Sequence, residues 1–310
     1  MKILITGGAG FIGSNLVDEC VKRGWDVVIV DNLSSGKKEN INNKAKFYQV
    51  DITDFEKLKD IFKKEKPEVV DHHAAQIDVR KSVVSPQYDA NINILGSLNL
   101  LQLSIEYKTK KFIFASSGGT IYGECKDKKP PKESNIPLPE CPYGCAKAAV
   151  ELYMRYYNKV YGLSTISLRY ANVYGPRQDP LGEAGVIAIF INRMLKNEDV
   201  FIFGNGNQMR DFVYVKDVVD ANIKSIMIKK DFAIYNVGTG KAVSINDIFK
   251  NLKKLLNYSK SPIYKPPRKG EIFKSYLNIS LIKKELNWQP KTSLQEGLKE
   301  VINYFKSKKQ

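Results

Sequence analysis

The strongest constraint on how this chain can fold lies at its start. The apolar run Lys2-Ile3-Leu4-Ile5-Thr6 passes directly into Gly7-Gly8-Ala9-Gly10-Phe11-Ile12-Gly13, and an amphipathic stretch continues to Arg23. A strand that ends in closely spaced glycines and opens a helix is the signature of a dinucleotide-binding βαβ unit. Residues without side chains let the backbone approach a pyrophosphate, whose charge then sits on the free N–H groups of the helix N-terminus. Gly13 would let helix and strand pack closely. Asp31 follows Gly13 by 18 residues and ends the second predicted strand. A carboxylate there accepts hydrogen bonds from the adenosine ribose and repels a 2′-phosphate, so NAD is expected rather than NADP.

The rest of the chain extends this pattern. Strands are expected at Lys2–Thr6, Asp26–Asp31, Ala45–Gln49, Val69–His72, Lys111–Ala115 and Ser164–Leu168. They alternate with helices near Phe11–Arg23, Asp54–Lys64, Ile92–Tyr107 and Tyr143–Tyr161. This alternation predicts an α/β fold, a doubly wound parallel (Rossmann) sheet with helices on both faces. After Leu168 the texture changes to loops and then to an apolar helix, Gly185–Leu195. A strand Val200–Phe203, a turn Gly204–Asn207, a strand Asp211–Val215, a helix Val218–Lys229 and a strand Ile234–Val237 follow. The tail holds a helix Ser244–Leu256, a proline-rich stretch Pro262–Gly270 and two helices, the last opened by Ser293-Leu294-Gln295-Glu296 as a capping box. At 310 residues the chain is expected to form two interleaved parts. One is a dinucleotide-binding domain at 1–168, to which 206–243 partly return; the other is a smaller α/β C-terminal substrate lobe at 169–205 and 244–310.

Composition sets outer bounds. No apolar run approaches the roughly 18 residues of a membrane span, and glycines interrupt the N-terminus too early for a signal peptide. The four cysteines form no C-x-x-C pair, which argues against a disulfide framework. A cytoplasmic protein is expected. An excess of 49 basic over 33 acidic residues gives a net charge of +16. The lysines are scattered in short clusters at predicted helix ends and turns, and no nucleic-acid motif is found, so neither nucleic acid nor membrane is expected as a partner. A positive field of this kind attracts an anionic small substrate.

The segment Pro142-Tyr143-Gly144-Cys145-Ala146-Lys147 opens a predicted helix, and i, i+4 spacing puts Tyr143 and Lys147 on one face. A tyrosine with a free pKa of about 10 is a poor base at neutral pH. A neighbouring ammonium, helped by a nicotinamide cation, is expected to lower it, so that the tyrosinate can accept a proton from a sugar hydroxyl as hydride leaves. Such a pair is also an ordinary feature of helix surfaces; beside the glycine turn it becomes specific.

With these features the sequence resembles the extended short-chain dehydrogenase/reductase family, and within it the UDP-glucose 4-epimerase-like members, over nearly the whole chain. The likeness is carried by Gly7–Gly13, Asp31–Gly36, Asp51-Ile52, His73–Gln76, Ser116–Gly123, Tyr143 with Lys147, Leu168–Phe190, Arg210–Phe212 and Arg268–Glu271. It implies NAD contacts from Gly7, Gly10, Phe11, Ile12, Gly13, Asp31, Asn32, Ser34, Ser35 and Gly36, with Asp51 and Ile52 at the adenine. Further along the cofactor it implies His73, Ala74, Ala75, Gln76, Asn93, Ser116, Tyr143, Lys147 and Tyr170. For a UDP-sugar it implies Asn172, Arg210 and Arg268 at the diphosphate, where guanidinium forks match phosphate oxygens, and Gly185, Val186 and Phe203 at the uridine. Ser117, Gly118, Gly119, Thr120, Tyr143, Gln208, Glu271 and Ser275 complete the implied substrate site.

Family members differ in the chemistry after hydride transfer. The 4,6-dehydratases carry a Thr-Asp-Glu run before the loop Tyr-Gly, whereas here the stretch is Gly118-Gly119-Thr120-Ile121-Tyr122-Gly123, without the acids that eliminate water. For an epimerase the resemblance implies that hydride leaves sugar carbon 4 for NAD, the 4-keto sugar turns over in the pocket, and hydride returns to its other face. The family's Ser or Thr four positions before the loop tyrosine is Gly118 here, so Ser117, Thr120 or a water must substitute. Ser117 is favoured, because a one-residue loop shift would bring its hydroxyl to the same place. The family's gate beside the sugar 2-substituent is Ser275, small enough for an acetamido group. The expected activity is therefore NAD-dependent 4-epimerisation of UDP-N-acetylglucosamine and UDP-N-acetylgalactosamine, with UDP-glucose and UDP-galactose as further substrates. A UDP-glucuronate 4-epimerase or decarboxylase is the alternative, weakened because no extra basic residue is identifiable at the sugar end. A non-catalytic NAD-binding regulator would have lost Tyr143 or Lys147. The family also implies a homodimer built on helices Ile92–Tyr107 and Tyr143–Tyr161. No metal is expected: His72 and His73 are adjacent strand residues facing opposite ways, and Cys141 and Cys145 lack further ligands.

Overall fold

The computed structural model describes residues 1–124, 129–181, 185–268 and 272–308. The chain begins with β1 (Lys2–Thr6), α1 (Phe11–Lys22), β2 (Asp26–Val30), β3 (Lys46–Tyr48), α2 (Phe55–Glu65) and β4 (Val69–His72). It continues through α3 (Val79–Val84), α4 (Pro86–Ala90), a π-helical turn (Asn91–Leu95), α5 (Gly96–Glu106), β5 (Lys111–Ser117), α6 (Pro142–Tyr161) and β6 (Ser164–Tyr170). Next come β7 (Asn172–Tyr174), α7 (Val186–Leu195), β8 (Phe201–Phe203), β9 (Met209–Arg210), β10 (Phe212–Tyr214), α8 (Val215–Met227) and β11 (Phe232–Val237). The tail is β12 (Val243–Ser244), α9 (Ile245–Leu256), β13 (Ile263–Lys265), β14 (Lys274–Ser275), α10 (Ser280–Leu286) and α11 (Leu294–Ser307).

Seven strands form one parallel sheet in the order β3-β2-β1-β4-β5-β6-β11. Helices cover both of its faces, which is why β1 reads as a continuous apolar run rather than an alternation. Ile3 and Ile5 pack with Leu16 and Val17 of α1 and Val218 of α8, whereas Leu4 packs with Leu58 of α2, Leu100 of α5 and Val150 of α6. The winding reverses between β1 and β4, and a crevice opens there at the carboxyl ends of the strands. A separate core joins Ile187 and Phe190 of α7, Phe249 and Leu252 of α9, and Leu298 and Val301 of α11.

The structure departs from the sequence reading in several places. β5 and β6 each run two residues past their expected ends, to Ser117 and Tyr170, because Ser116 and Arg169 satisfy their polar groups on Glu151 of α6. The segment after Asp78 is helical, its N–H groups at Arg80 and Lys81 capped by the Asp78 carboxylate. The expected helix Ile92–Tyr107 is a π turn followed by α5. The two- and three-residue strands β7, β9, β12, β13 and β14 are too short to show a period. The capping box at Ser293 and Glu296 is present. Ser293→Ala is expected to cost about 1 kcal/mol, read as a lower urea midpoint at unchanged slope.

Candidate active site

The glycine turn fits its expected use. Gly7 takes φ +67, and a Cβ there would stand 2.7 Å from the Ala74 nitrogen. A Cβ on Gly13 would stand 2.2 Å from the Gly7 carbonyl oxygen, so only glycine lets α1 start this close to β1. Asp31 ties the turn to β2: its carboxylate accepts from the N–H of Ala9 at 3.0 Å and of Leu33 at 2.8 Å. Asp51 accepts from the Asn32 side chain at 2.6 Å. A cleft of about 410 Å³ follows this wall, lined by Gly7, Gly10, Phe11, Ile12, Gly13, Asp31, Asn32, Ser34, Ser35, Asp51 and Ile52. His73–Gln76, Ser116, Tyr143, Lys147 and Tyr170 complete it, with Ile77, Asp78, Lys81, Tyr88 and Ile92 from the unforeseen α3–α4 region or its flanks. Two expected lining residues stand behind the wall instead. A Cβ on Gly36 would lie 2.7 Å from the Asp31 carboxylate, so Gly36 supports Asp31. Asn93 is buried and grips Gln76, accepting from its N–H and donating to its carbonyl, both at 2.9 Å.

The two histidines do face opposite sides. His72 meets Thr6 Oγ1 at 2.7 Å and Ser97 Oγ at 2.9 Å, and burial pushes its imidazole well below the usual range, towards the neutral form. On the other face, His73 Nε2 lies 2.9 Å from a buried Asp71 oxygen, and its ring stacks on Tyr170.

α6 brings Tyr143 to the end of β5. The Ser117 side chain acts on the Tyr143 hydroxyl, favouring its ionised form. The Lys147 Nζ lies 5.6 Å from the Tyr143 ring centroid, 4.6 Å from that of Phe114, and donates to the Ala115 carbonyl at 2.8 Å. The expectation that Lys147 lowers the phenol is not what the protein groups produce. Burial holds the Tyr143 phenol well above its ordinary range, the Asp89 carboxylate adds to this, and Ser117 opposes it. Burial likewise pushes the Lys147 ammonium down to about 8. Thr120 Oγ1 is buried without a hydrogen-bond partner. Sequence reasoning missed Glu151, one helical turn beyond Lys147. It forms a buried ion pair with Arg169 at 2.5 Å and accepts from Ser116 at 2.7 Å and Ser167 at 2.8 Å. The repeated i, i+4 spacing from Tyr143 through Lys147 to Glu151 was the available signal.

A second cavity, of about 810 Å³, meets the first at Phe11, Ile12, Ile77, Ser116, Tyr143 and Tyr170. Ser117, Gly119, Thr120, Asn172, Gly185, Val186, Arg210 and Arg268 line it, as do Arg80, Glu140 and Cys141. Gly185 is the N-cap of α7, so the helix start faces this space, as anion binding requires. Arg268 also borders a neighbouring cavity of about 700 Å³ that holds Phe203 and Gln208, and its guanidinium lies 4.0 Å from the Phe203 centroid. Gly118 does not line the cavities: a Cβ there would meet Leu277 at 2.5 Å. Ser275 is buried in β14 beside Arg210 and is likewise outside the lining. Glu271 lies outside the described residues.

The sequence matches the NAD dependent epimerase/dehydratase family over residues 3–238, and the chain belongs to that family. NAD is its cofactor. A putative UDP-glucose 4-epimerase of Methanocaldococcus jannaschii is 48% identical over 309 residues, 98% of each chain. The structure of UDP-glucose 4-epimerase from Thermotoga maritima with UDP-glucose superposes with a TM-score of 0.98 at 52% identity, covering 100% of both chains. That of UDP-N-acetylglucosamine 4-epimerase from Methanobrevibacter ruminantium, in complex with UDP-N-acetylmuramic acid, has a TM-score of 0.93 at 38% identity over 99% of this chain and 98% of that one. Gly13→Ala is expected to weaken NAD binding at least about tenfold, measured by calorimetric titration, because its Cβ displaces the Gly7 carbonyl.

Proposed function

We propose that the chain is a UDP-sugar 4-epimerase whose preferred pair is UDP-N-acetylglucosamine and UDP-N-acetylgalactosamine. The observation that carries this reading is the place of Tyr143: beside Lys147, and on the same cavity wall as Ser117, at the junction of the glycine-walled cleft and an arginine-lined cavity. Bound NAD supplies a hydride acceptor and returns the hydride. In this reading Tyr143 takes the proton of the 4-hydroxyl, Ser117 hydrogen-bonds that hydroxyl, and the Lys147 ammonium stabilises the phenolate. Ser117 is preferred to Thr120 because its side chain already acts on Tyr143. Arg210 and Arg268 hold the diphosphate, and Phe203 and Gln208 the uridine. The cavity of about 810 Å³ leaves the keto sugar room to turn. The N-acetyl preference rests on likeness to the Methanobrevibacter ruminantium enzyme; Ser275, buried in β14 outside the cavity lining, lends it no support.

One observation favours a second reading. Arg80 of α3 lines the substrate cavity alongside Thr120, so a basic residue does stand there, contrary to the reading from sequence. A guanidinium in that wall suits the carboxylate of a UDP-uronate.

Proton NMR of the purified protein with each UDP-sugar separates these readings. Interconversion of the N-acetylhexosamines is expected, with kcat lowered at least about tenfold by Ser117→Ala and turnover abolished by Tyr143→Phe. Turnover of UDP-glucuronate alone, lost in Arg80→Ala, would replace the first reading by the second.

We also infer a homodimer. α6 leaves Leu152 at 71% exposure, with Tyr153, Tyr156, Val160 and Tyr161 uncovered along the same helix and Leu95 exposed just before α5. Such an apolar face on two adjacent helices suits a second copy of the chain. Leu152→Lys is expected to give a monomer by sedimentation equilibrium; an unchanged dimer would place the interface elsewhere.

A further inference from the structure

Asp89, in α4, is only 1% exposed. Its Oδ1 accepts from the Gln76 side chain at 2.8 Å and the Asn93 side chain at 2.9 Å, both neutral amides. Asn93 belongs to the π turn Asn91–Leu95, and Gln76 to the loop after β4 that walls the cofactor cleft. Both α4 and the π turn pack on α6. A π turn inside a helical run is a costly irregularity that recurs at functional sites. Here it lets one amide grip both the cleft loop and Asp89.

A buried carboxylate needs a compensating charge. The cation that Asp89 feels is Lys147, and Asp89 acts in return on both Lys147 and Tyr143. The other groups facing this pair are accounted for. Glu151 of α6 also favours the Lys147 ammonium but is engaged by Arg169, and His72 of β4 is kept neutral by burial. The Cys141 thiol is held protonated by burial, and the Ser117 side chain acts on Tyr143. We propose that Asp89 is a positioning residue: held by Gln76 and Asn93, it is the buried counter-charge that keeps Lys147 an ammonium and sets the pH range over which Tyr143 and Lys147 work as a pair. The inference rests on the Tyr143–Lys147 reading above.

Asp89→Asn tests it cleanly. Both hydrogen bonds end on Oδ1, so an asparagine with its oxygen there keeps them and loses only the charge. Without the carboxylate Lys147 gives up its proton at lower pH, and the Tyr143 phenol ionises more easily. Both limbs of the kcat–pH profile are therefore expected to move down by roughly one pH unit. The near-ultraviolet phenolate titration of NAD-loaded D89N, after subtraction of NAD-loaded D89N with Tyr143→Phe, is expected to move down as well relative to the same difference for wild type. Asn93→Ala, which loosens the frame but keeps the charge, is expected to lower the rate with both limbs in place. A uniform fall in rate with unshifted limbs in D89N, or the same shift in N93A, would overturn the proposal. Full activity in Tyr143→Phe would instead overturn the site reading beneath it; an inactive Tyr143→Phe with an unshifted D89N leaves that reading intact and removes only Asp89.

Discussion

The buried ion pair between Glu151 of α6 and Arg169 of β6 is the joint on which the site depends. Glu151 collects Ser116 from β5, Ser167 from β6 and the Arg169 guanidinium, while Arg169 passes on to the Tyr122 hydroxyl at 2.6 Å. Tyr122 in turn donates to Asn236 of β11 at 2.8 Å. One charged network thus fixes α6 against the carboxyl ends of three strands, and Lys147 and Tyr143 sit one and two turns before Glu151 on that helix. Removing either charge would strand the other in a dry interior, at a cost of roughly 3–5 kcal/mol. The same low-dielectric setting raises the Tyr122 phenol to about 12, so this hydroxyl acts as a structural donor rather than a base.

The second constraint is one of distance. α1 can begin beside β1 only because no Cβ separates Gly13 from Gly7. That approach aims the helix start at the cleft, and the winding reversal between β1 and β4 opens the cleft at the same end of the sheet. The cleft and the arginine-lined cavity share lining residues there, so the glycine wall, the Tyr143–Lys147 pair and the arginines become neighbours. The basic residues include exposed lysines such as Lys57 and Lys110 and, on the cavity wall, Arg80, Arg210 and Arg268.

Much of the frame was legible because its signals are local. The strand–glycine–helix succession, Asp31, the Tyr143–Lys147 spacing and the Ser293–Glu296 capping box each depend on neighbours in the chain, and each stands where it was read. What was missed depends on partners far away in sequence. The strand extensions to Ser117 and Tyr170 need Glu151 to accept their polar groups. β14 needs β9, whose residues lie more than sixty positions earlier. Gly118 looked like part of the substrate wall by motif position, yet Leu277 covers it. Arg80 sits in a stretch without apolar period, and only the short helix capped by Asp78 turns it towards the cavity.

By itself the sequence determined the fold class, the cofactor and the candidate pair on α6, because strand–turn–helix chemistry and i, i+4 spacing are properties of short segments. The tertiary structure decided the charge states and the contents of the cavity. Burial, which no segment can report about itself, raises the phenol of Tyr143 and pushes Lys147 down to about 8. Long-range packing, which the period of a single helix cannot express, brings α4 with its buried Asp89 against α6 and Arg80 to the cavity wall.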